Sequence, residues 1–274
     1  MNKWVFRFIM CLCILGIGIQ LYPIGKQYAT RKVMQDEIKI FKQEREVLNT
    51  NELYEEMRAY NETIYAQKQS GLKDAFSYSQ NPFIFDQTND DRIGYLKIDK
   101  LQLEVPLYMG ASYENLNKGV AVLAQTSAPI GGENTNCVIA GHRGGINGDQ
   151  KFKYIEELEN GDEIKITNPW QTLTYVVTDK IVIRPNDIEA VKIVPEQDMI
   201  TLFSCHPYPY NTHRYVVYAQ RKEQQHKVDY PQGIQYQSST DDIKKEEIMQ
   251  NLVLIISVLV TGILIVLRIK EKRS

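Results

Sequence analysis

Three side chains in this sequence are of the types that carry acyl transfer through a thiol, and each stands at the end of an apolar run. His142 closes such a run in "CVIAGHRGG", where Cys137–Ala140 leads into a glycine-flanked turn. Cys205 closes the run Met199–Phe203 in "ITLFSCHPYPYNTHRYVVYAQR", and Arg214 opens the following run nine residues later. A thiol attacks as thiolate, and a nearby cation draws its pKa from about 8.5 towards roughly 3.5–7.5. A histidine can be that cation and then protonate a leaving amine. An arginine suits the oxyanion of a tetrahedral intermediate, where losing one donor costs roughly 3 kcal/mol. Gly141, Gly144 and Gly145 let the backbone bend and another group come close to the histidine. No aspartate or asparagine is marked by the pattern as a third member.

Other readings of Cys205 stay open at this level. Cys11 and Cys13 lie in an apolar N-terminal run, which leaves Cys137 and Cys205 in the rest of the chain. In an oxidising compartment those two would pair if they were close; otherwise Cys137 reads as a core residue. No C-x-x-C or H-x-x-x-H spacing supports zinc, and neither metal nor cofactor is expected. Cys205 and His206 are neighbours, so on a strand they face opposite sides. His206 and His213 flank the proline-rich loop and read as structural or substrate-groove residues, with Thr201, Ser204 and Asn211 as further groove candidates. His226 reads as solvated, and Trp170 in "NPWQ" as a packing residue.

The elements that must position these groups are mostly strands. Seven runs read as β: "IGYLKI", "LEVPLYM", "CVIAG", "DEIKIT", "TLTYVVTDKIVI", "MITLFS" and "RYVVYAQR". Many short strands with few helical runs point to a closed or nearly closed barrel, which removes exposed edges. Ahead of it, Lys26–Gln69 carries apolar residues at Val33, Ile38, Phe41, Leu48, Leu53, Met57, Tyr60 and Ile64. That spacing predicts one or two amphipathic helices, with Thr50 or Asn51 capping the second, as a stalk or buttress. Between the two regions "SYSQNPFIFDQTNDD" has no periodicity, and Asn81-Pro82 presents Phe83 on a kinked segment.

Both ends of the chain are apolar. Phe8–Ile24 is uncharged, with Lys3 and Arg7 before it; Ile248–Leu267 gives 20 uncharged residues, about the length that crosses a bilayer. Arg268, Lys270, Lys272 and Arg273 follow, which predicts a cytoplasmic C-terminus. With two spans, everything between them is extracytoplasmic; the competing reading of the first run is a cleaved signal peptide. A net charge of −2 offers no basic field for nucleic acid.

"TLFSC" with an arginine nine residues on resembles the signature of sortases, Thr-Leu-x-Thr-Cys followed by Arg, and "GHRG" resembles their catalytic-histidine segment. The stretch from "IGYLKIDKLQLEVPLYMG" to "GHRG" is similar to the class C, pilin-polymerising members, as is "SCHPYPYNTHRYVVYAQR" with its Asn211-Thr212-His213-Arg214. The similarity covers about residues 80 to 222. It implies a mainly β fold: a closed sortase-type barrel of about eight strands, with helices before it and a transmembrane helix at each end. The chain then divides into a membrane segment or signal anchor (1–25), a helical stalk (26–76), a candidate lid loop (77–91) and a catalytic barrel (92–224). A polar linker (225–247), a second span (248–268) and a cytoplasmic basic tail (269–274) complete it.

Carried over by position, the resemblance makes Cys205 the nucleophile, His142 the acid/base and Arg214 the oxyanion and substrate-binding residue. It implies cleavage of an LPXTG-like sorting motif through a thioacyl enzyme, resolved by a pilin lysine or a cell-wall cross-bridge amine, at a Gram-positive cell membrane. Three positions depart from the pattern. Ser204 replaces the usual threonine and keeps the hydroxyl. Ala140 replaces a frequent threonine. Asn81-Pro82-Phe83 stands where an Asp-Pro-aromatic lid is usual, and neutral Asn81 can hydrogen-bond Arg214 but not ion-pair with it, so a lid there is held loosely; Asp86 is the alternative acid. Competing readings are a housekeeping sortase that anchors surface proteins to peptidoglycan and a non-catalytic scaffold with a Cys137–Cys205 disulfide. A cysteine L,D-transpeptidase is a third, whose compact Ser-x-Gly-Cys-Arg motif the spacing here does not match.

Overall fold

The computed structural model describes residues 3–48, 50–74, 76, 91–144, 151–224 and 228–273. Eight strands form a closed barrel: β1 (Arg92–Ile98), β2 (Leu103–Met109), β3 (Val120–Val122), β4 (Thr135–Ala140), β5 (Glu163–Thr167), β6 (Thr172–Ile183), β7 (Asp198–His206) and β8 (His213–Arg221). Their order around the barrel is β1-β2-β3-β4-β7-β8-β6-β5. The seven runs expected to be strands are strands. The eighth, β3, has only three residues, all buried, so neither length nor alternation marks it in the sequence.

Alternation along the strands makes two cores. Leu96, Leu107, Val122, Ile139, Ile166, Tyr175, Leu202 and Val217 fill the lumen. Val138, Ala140, Met199, Phe203, Val216 and Tyr218 face outward and are covered by Leu72, Leu116, Ala190 and Val191. Consecutive residues of β7 therefore serve different cores, as the two-residue period of a strand requires. Leu116 comes from the short helix α3 (Tyr113–Lys118), capped by the Ser112 hydroxyl.

Two helices precede the barrel. α1 (Lys3–Leu48) runs without interruption from the apolar N-terminal run into the amphipathic segment. Its Ile38 and Phe41 are buried on the barrel, with Phe41 edge-on to Tyr95 at 6.1 Å. α2 (Asn51–Ala66) starts at Thr50, whose hydroxyl accepts from the Leu53 amide, and buries Leu53, Met57 and Ile64. Trp170 packs edge-on against Tyr54 and donates to the Thr50 carbonyl, so it fastens α2 to the β5–β6 turn. At the other end, α4 (Thr240–Arg273) carries the second apolar run. Both α1 and α4 are long and apolar enough to cross a membrane.

Candidate active site

Strand register brings the three groups together. β7 and β8 are antiparallel, and Cys205 and Arg214 are direct partners across them. Directly opposed side chains on such a pair lie on one face, with Cβ atoms roughly 4.5–5.5 Å apart. β4 runs parallel to β7 and its last pair is Ala140 with Phe203. The chain stays in register for another step: the Gly141 amide donates to the Phe203 carbonyl at 3.1 Å, and the Ser204 hydroxyl donates to the Gly141 carbonyl at 2.8 Å. His142 therefore stands level with Cys205. Gly141 has to be glycine, because a Cβ there would come within 2.5 Å of the Phe152 ring.

One aromatic ring covers the patch. Phe76 stacks on Phe203 at 6.1 Å and lies 5.8 Å from the His142 ring, and the Arg214 guanidinium sits 5.2 Å from its centroid. Two residues earlier, the Asp74 carboxylate takes both ends of the same guanidinium, Nε and Nη2, at 2.8 Å each. Arg214 Nη1 donates to the Asn211 and His213 carbonyls, which fixes the fork. The Asp-x-aromatic pair on the site is thus Asp74 and Phe76. Asn81, Pro82, Phe83 and Asp86 lie outside the described residues. Asp74-Ala75-Phe76 has the acid and the aromatic of the family's lid pattern without its proline.

The electrostatics of this arrangement differ from the expectation. Burial pushes the Cys205 thiol up, to about 11, and the Asp74 carboxylate adds to the rise while Arg214 and Arg143 oppose it. The expected fall fails here because burial disfavours the charged form and Asp74 offsets the nearest cation. Cys205 and Cys137 are both free thiols. Cys137 pairs with Ile200, five residues from Cys205 along β7 and so roughly 16 Å away, and it points into the lumen. The disulfide reading falls with that geometry.

The groove candidates separate. Thr201 and Ser204 are fully buried, with their hydroxyls given to Asn136 and Gly141. His206 is buried on the lumen side of β7, and partly exposed His213 and exposed Asn211 remain at the rim. Among the described residues no cluster of His, Cys, Asp or Glu suits a metal ion. Two buried charges that the sequence did not mark lie behind the site: Arg143 and Glu156 form an ion pair with side chains 1% and 3% exposed.

A thiol, an imidazole and a guanidinium on the outer face of a closed eight-stranded barrel define a cysteine acyl transferase. Residues 96–222 match the sortase domain family. Sortase C of Streptococcus pneumoniae has a similar structure, with 31% identity and a TM-score of 0.59, over 73% of this chain and 100% of that one. Sortase C1 of GBS Pilus Island 1 is similar at 29% identity and a TM-score of 0.60, over 76% and 98%. Sortase D of Bacillus subtilis (strain 168) is 27% identical over 158 residues, 57% of this chain and 76% of its own. The chain belongs to the sortase family of cysteine transpeptidases.

Proposed function

We propose that the protein is a class C sortase that links pilin subunits, with Cys205 as nucleophile, His142 as acid/base and Arg214 as oxyanion donor. The observation that carries this reading is the cross-strand pair Cys205–Arg214 with His142 at the same level, under an Asp74–Phe76 cover. His142 takes the Cys205 thiol proton as the sulfur adds to the threonine carbonyl carbon of an LPXTG-like motif, and Arg214 receives the oxyanion. Collapse breaks the Thr–Gly bond, His142 gives its proton to the departing glycine amine, and a thioester remains. A pilin lysine then attacks the thioester, His142 takes the amine proton, and the thiolate leaves. Arg214 cannot receive an oxyanion while it is bonded to Asp74, so the cover must open first.

The two apolar helices support a membrane-bound enzyme, and the cluster Arg268, Lys270, Lys272 and Arg273 supports a cytoplasmic C-terminus with the barrel outside. Names of the neighbours, among them a pilus-related sortase C of Group B Streptococcus, support pilins over the cell-wall cross-bridge. The test is intact-mass analysis of the chain incubated with LPXTG-type peptides. The expected result is one acyl adduct on Cys205, absent in Cys205→Ala and discharged faster by a lysine-bearing pilin domain than by a cross-bridge peptide. An adduct elsewhere, or none with any sorting peptide, overturns the reading.

A further inference from the structure

The lumen side of the site holds a second cluster, on the faces turned away from the thiol. Arg143 follows His142, and His206 follows Cys205. Arg143 Nη1 lies 2.8 Å from His206 Nδ1 and 3.4 Å from the Cys205 carbonyl oxygen. Arg143 Nη2 pairs with Glu156 Oε1, which is also 3.1 Å from His206 Nδ1. One Nδ1 cannot accept from Arg143 and donate to Glu156 together, so the tautomer of His206 selects which of the two it binds. In one form the residues that follow the catalytic histidine and cysteine are joined through Glu156; in the other they bond directly and Glu156 holds the pair through Arg143. The Phe152 amide also donates to the His142 carbonyl at 2.9 Å, so the segment carrying Glu156 holds the histidine turn directly.

The remaining valences of Glu156 go to the far end of the chain. Its Oε2 accepts from the Ser239 amide at 3.0 Å, the Thr240 hydroxyl at 3.1 Å and the Ser238 hydroxyl, and its Oε1 accepts from the Ser239 hydroxyl at 2.8 Å. Tyr236, from the same stretch, lies edge-on to the His206 and Tyr215 rings at 5.1 and 5.6 Å. Thr240 begins α4, whose Lys244 and Glu247 pair with Glu157 and Lys153 on either side of Glu156. A surface glutamate needs none of this; five donors on one buried carboxylate, with His206 as a sixth in one tautomer, make a built junction. Consistently, burial raises the Glu156 carboxyl, but His206, Ser238 and Arg143 together overcome it and hold it ionised well below the usual carboxylate range.

We propose that Glu156 is a positioning residue that sets the spacing of His142 and Cys205 from behind, and that Ser238–Thr240 complete it, so the head of the C-terminal helix is part of the catalytic apparatus. This rests on the thioacyl reading of Cys205 given above. Catalysis through two groups on separate strands is sensitive to their separation, and a misplacement near 1 Å costs up to about a hundredfold. A strap that fixes it from the lumen leaves the outer face free for substrate.

The test uses the full-length chain in detergent with an LPXTG-type peptide, comparing wild type, Glu156→Gln and the double variant Ser238→Ala/Ser239→Ala. The serine variant keeps every charge and is the one expected to fold without loss. Acylation rate at saturating peptide, half-saturating concentration and melting temperature are read per titratable thiol, alongside alkylation of Cys205 by iodoacetamide. For the serine variant the saturating rate should fall about tenfold, with half-saturation within about twofold and the melting temperature nearly unchanged. Glu156→Gln should fall further in acylation yet alkylate faster, because Arg143, relieved of its counter-charge, acts more strongly on the thiol. Wild-type acylation with both variants matching it overturns the proposal, as does a rate loss matched by loss of folded protein. A wild type that takes no acyl group overturns the thioacyl reading and the positioning proposal with it, whereas an acylating wild type with unimpaired variants overturns the positioning proposal alone.

Discussion

Cys205 is held in its unreactive form by two residues from the segment ahead of the barrel, and each acts by a different route. Phe76 lies over Phe203, His142 and Arg214 beside a thiol whose burial disfavours thiolate, while Asp74 places a negative charge nearby and occupies Arg214. With a thiol pKa of about 11, the thiolate is a minor species at pH 8, and alkylation should keep rising with pH up to that value. Replacing Asp74 by asparagine removes a charge that opposes thiolate, so the midpoint must move down; Phe76→Ala restores water and moves it the same way. Each unit of fall should raise labelling at pH 8 about tenfold. An unchanged pH profile in both variants would show that neither residue controls the thiol. At this scale the sequence was informative for groups defined by type and strand position, His142, Cys205 and Arg214. It was not informative for Asp74, because an acid in a polar stretch is ordinary until the fold brings Arg214 to it.

Strands and helices divide the labour between making the site and bracing it. The site needs only β4, β7 and β8 in register, but those strands belong to a barrel whose β1 side is clamped by α1. Phe41 is fully buried against Tyr95, and Arg92 reaches Glu37 and Glu44 on the same helix. Truncating Phe41 to alanine should cost about 3–5 kcal/mol, from lost transfer energy and an unfilled cavity. Chemical denaturation would check this, and a change under about 1 kcal/mol would mean that α1 adds little beyond attachment. The helices were legible because their apolar residues recur at helical spacing; seven strands were legible because they are long enough to show runs. β3 was not, since three buried residues carry no period. The Glu156 junction was hidden for a different reason: in "KYIEELEN" it looks like one of several exposed acids, and only the return of residues 238–240 buries it.

On the scale of the whole molecule, the two apolar helices form an antiparallel pair. Gln20 Nε2 donates to the Ser257 hydroxyl at 3.1 Å between them, and Arg268 lies 5.2 Å from the Phe6 ring at the end away from the barrel. A polar bond between apolar helices is favoured where no water competes for it, although its net worth is modest, roughly 0.6–2 kcal/mol. Antiparallel pairing places Lys3 and Arg7 on the same side as Arg268 and Lys270, but Lys26, Arg31 and Lys32 flank the other end of the first run, so the charge rule rests on α4. Beyond the apolar stretch, α1 continues to Leu48, and α4 begins against the barrel at Thr240. On the proposed membrane-bound reading, two helices would hold the barrel at the membrane surface, and substrate would reach it there. Epitope tags fused at the two ends should both resist protease added outside intact cells, while residues in the barrel are accessible. A tag cleaved at one end only would break the antiparallel arrangement. If both ends were cleaved, the pair would stand but with the barrel inside, where no sorting substrate is presented.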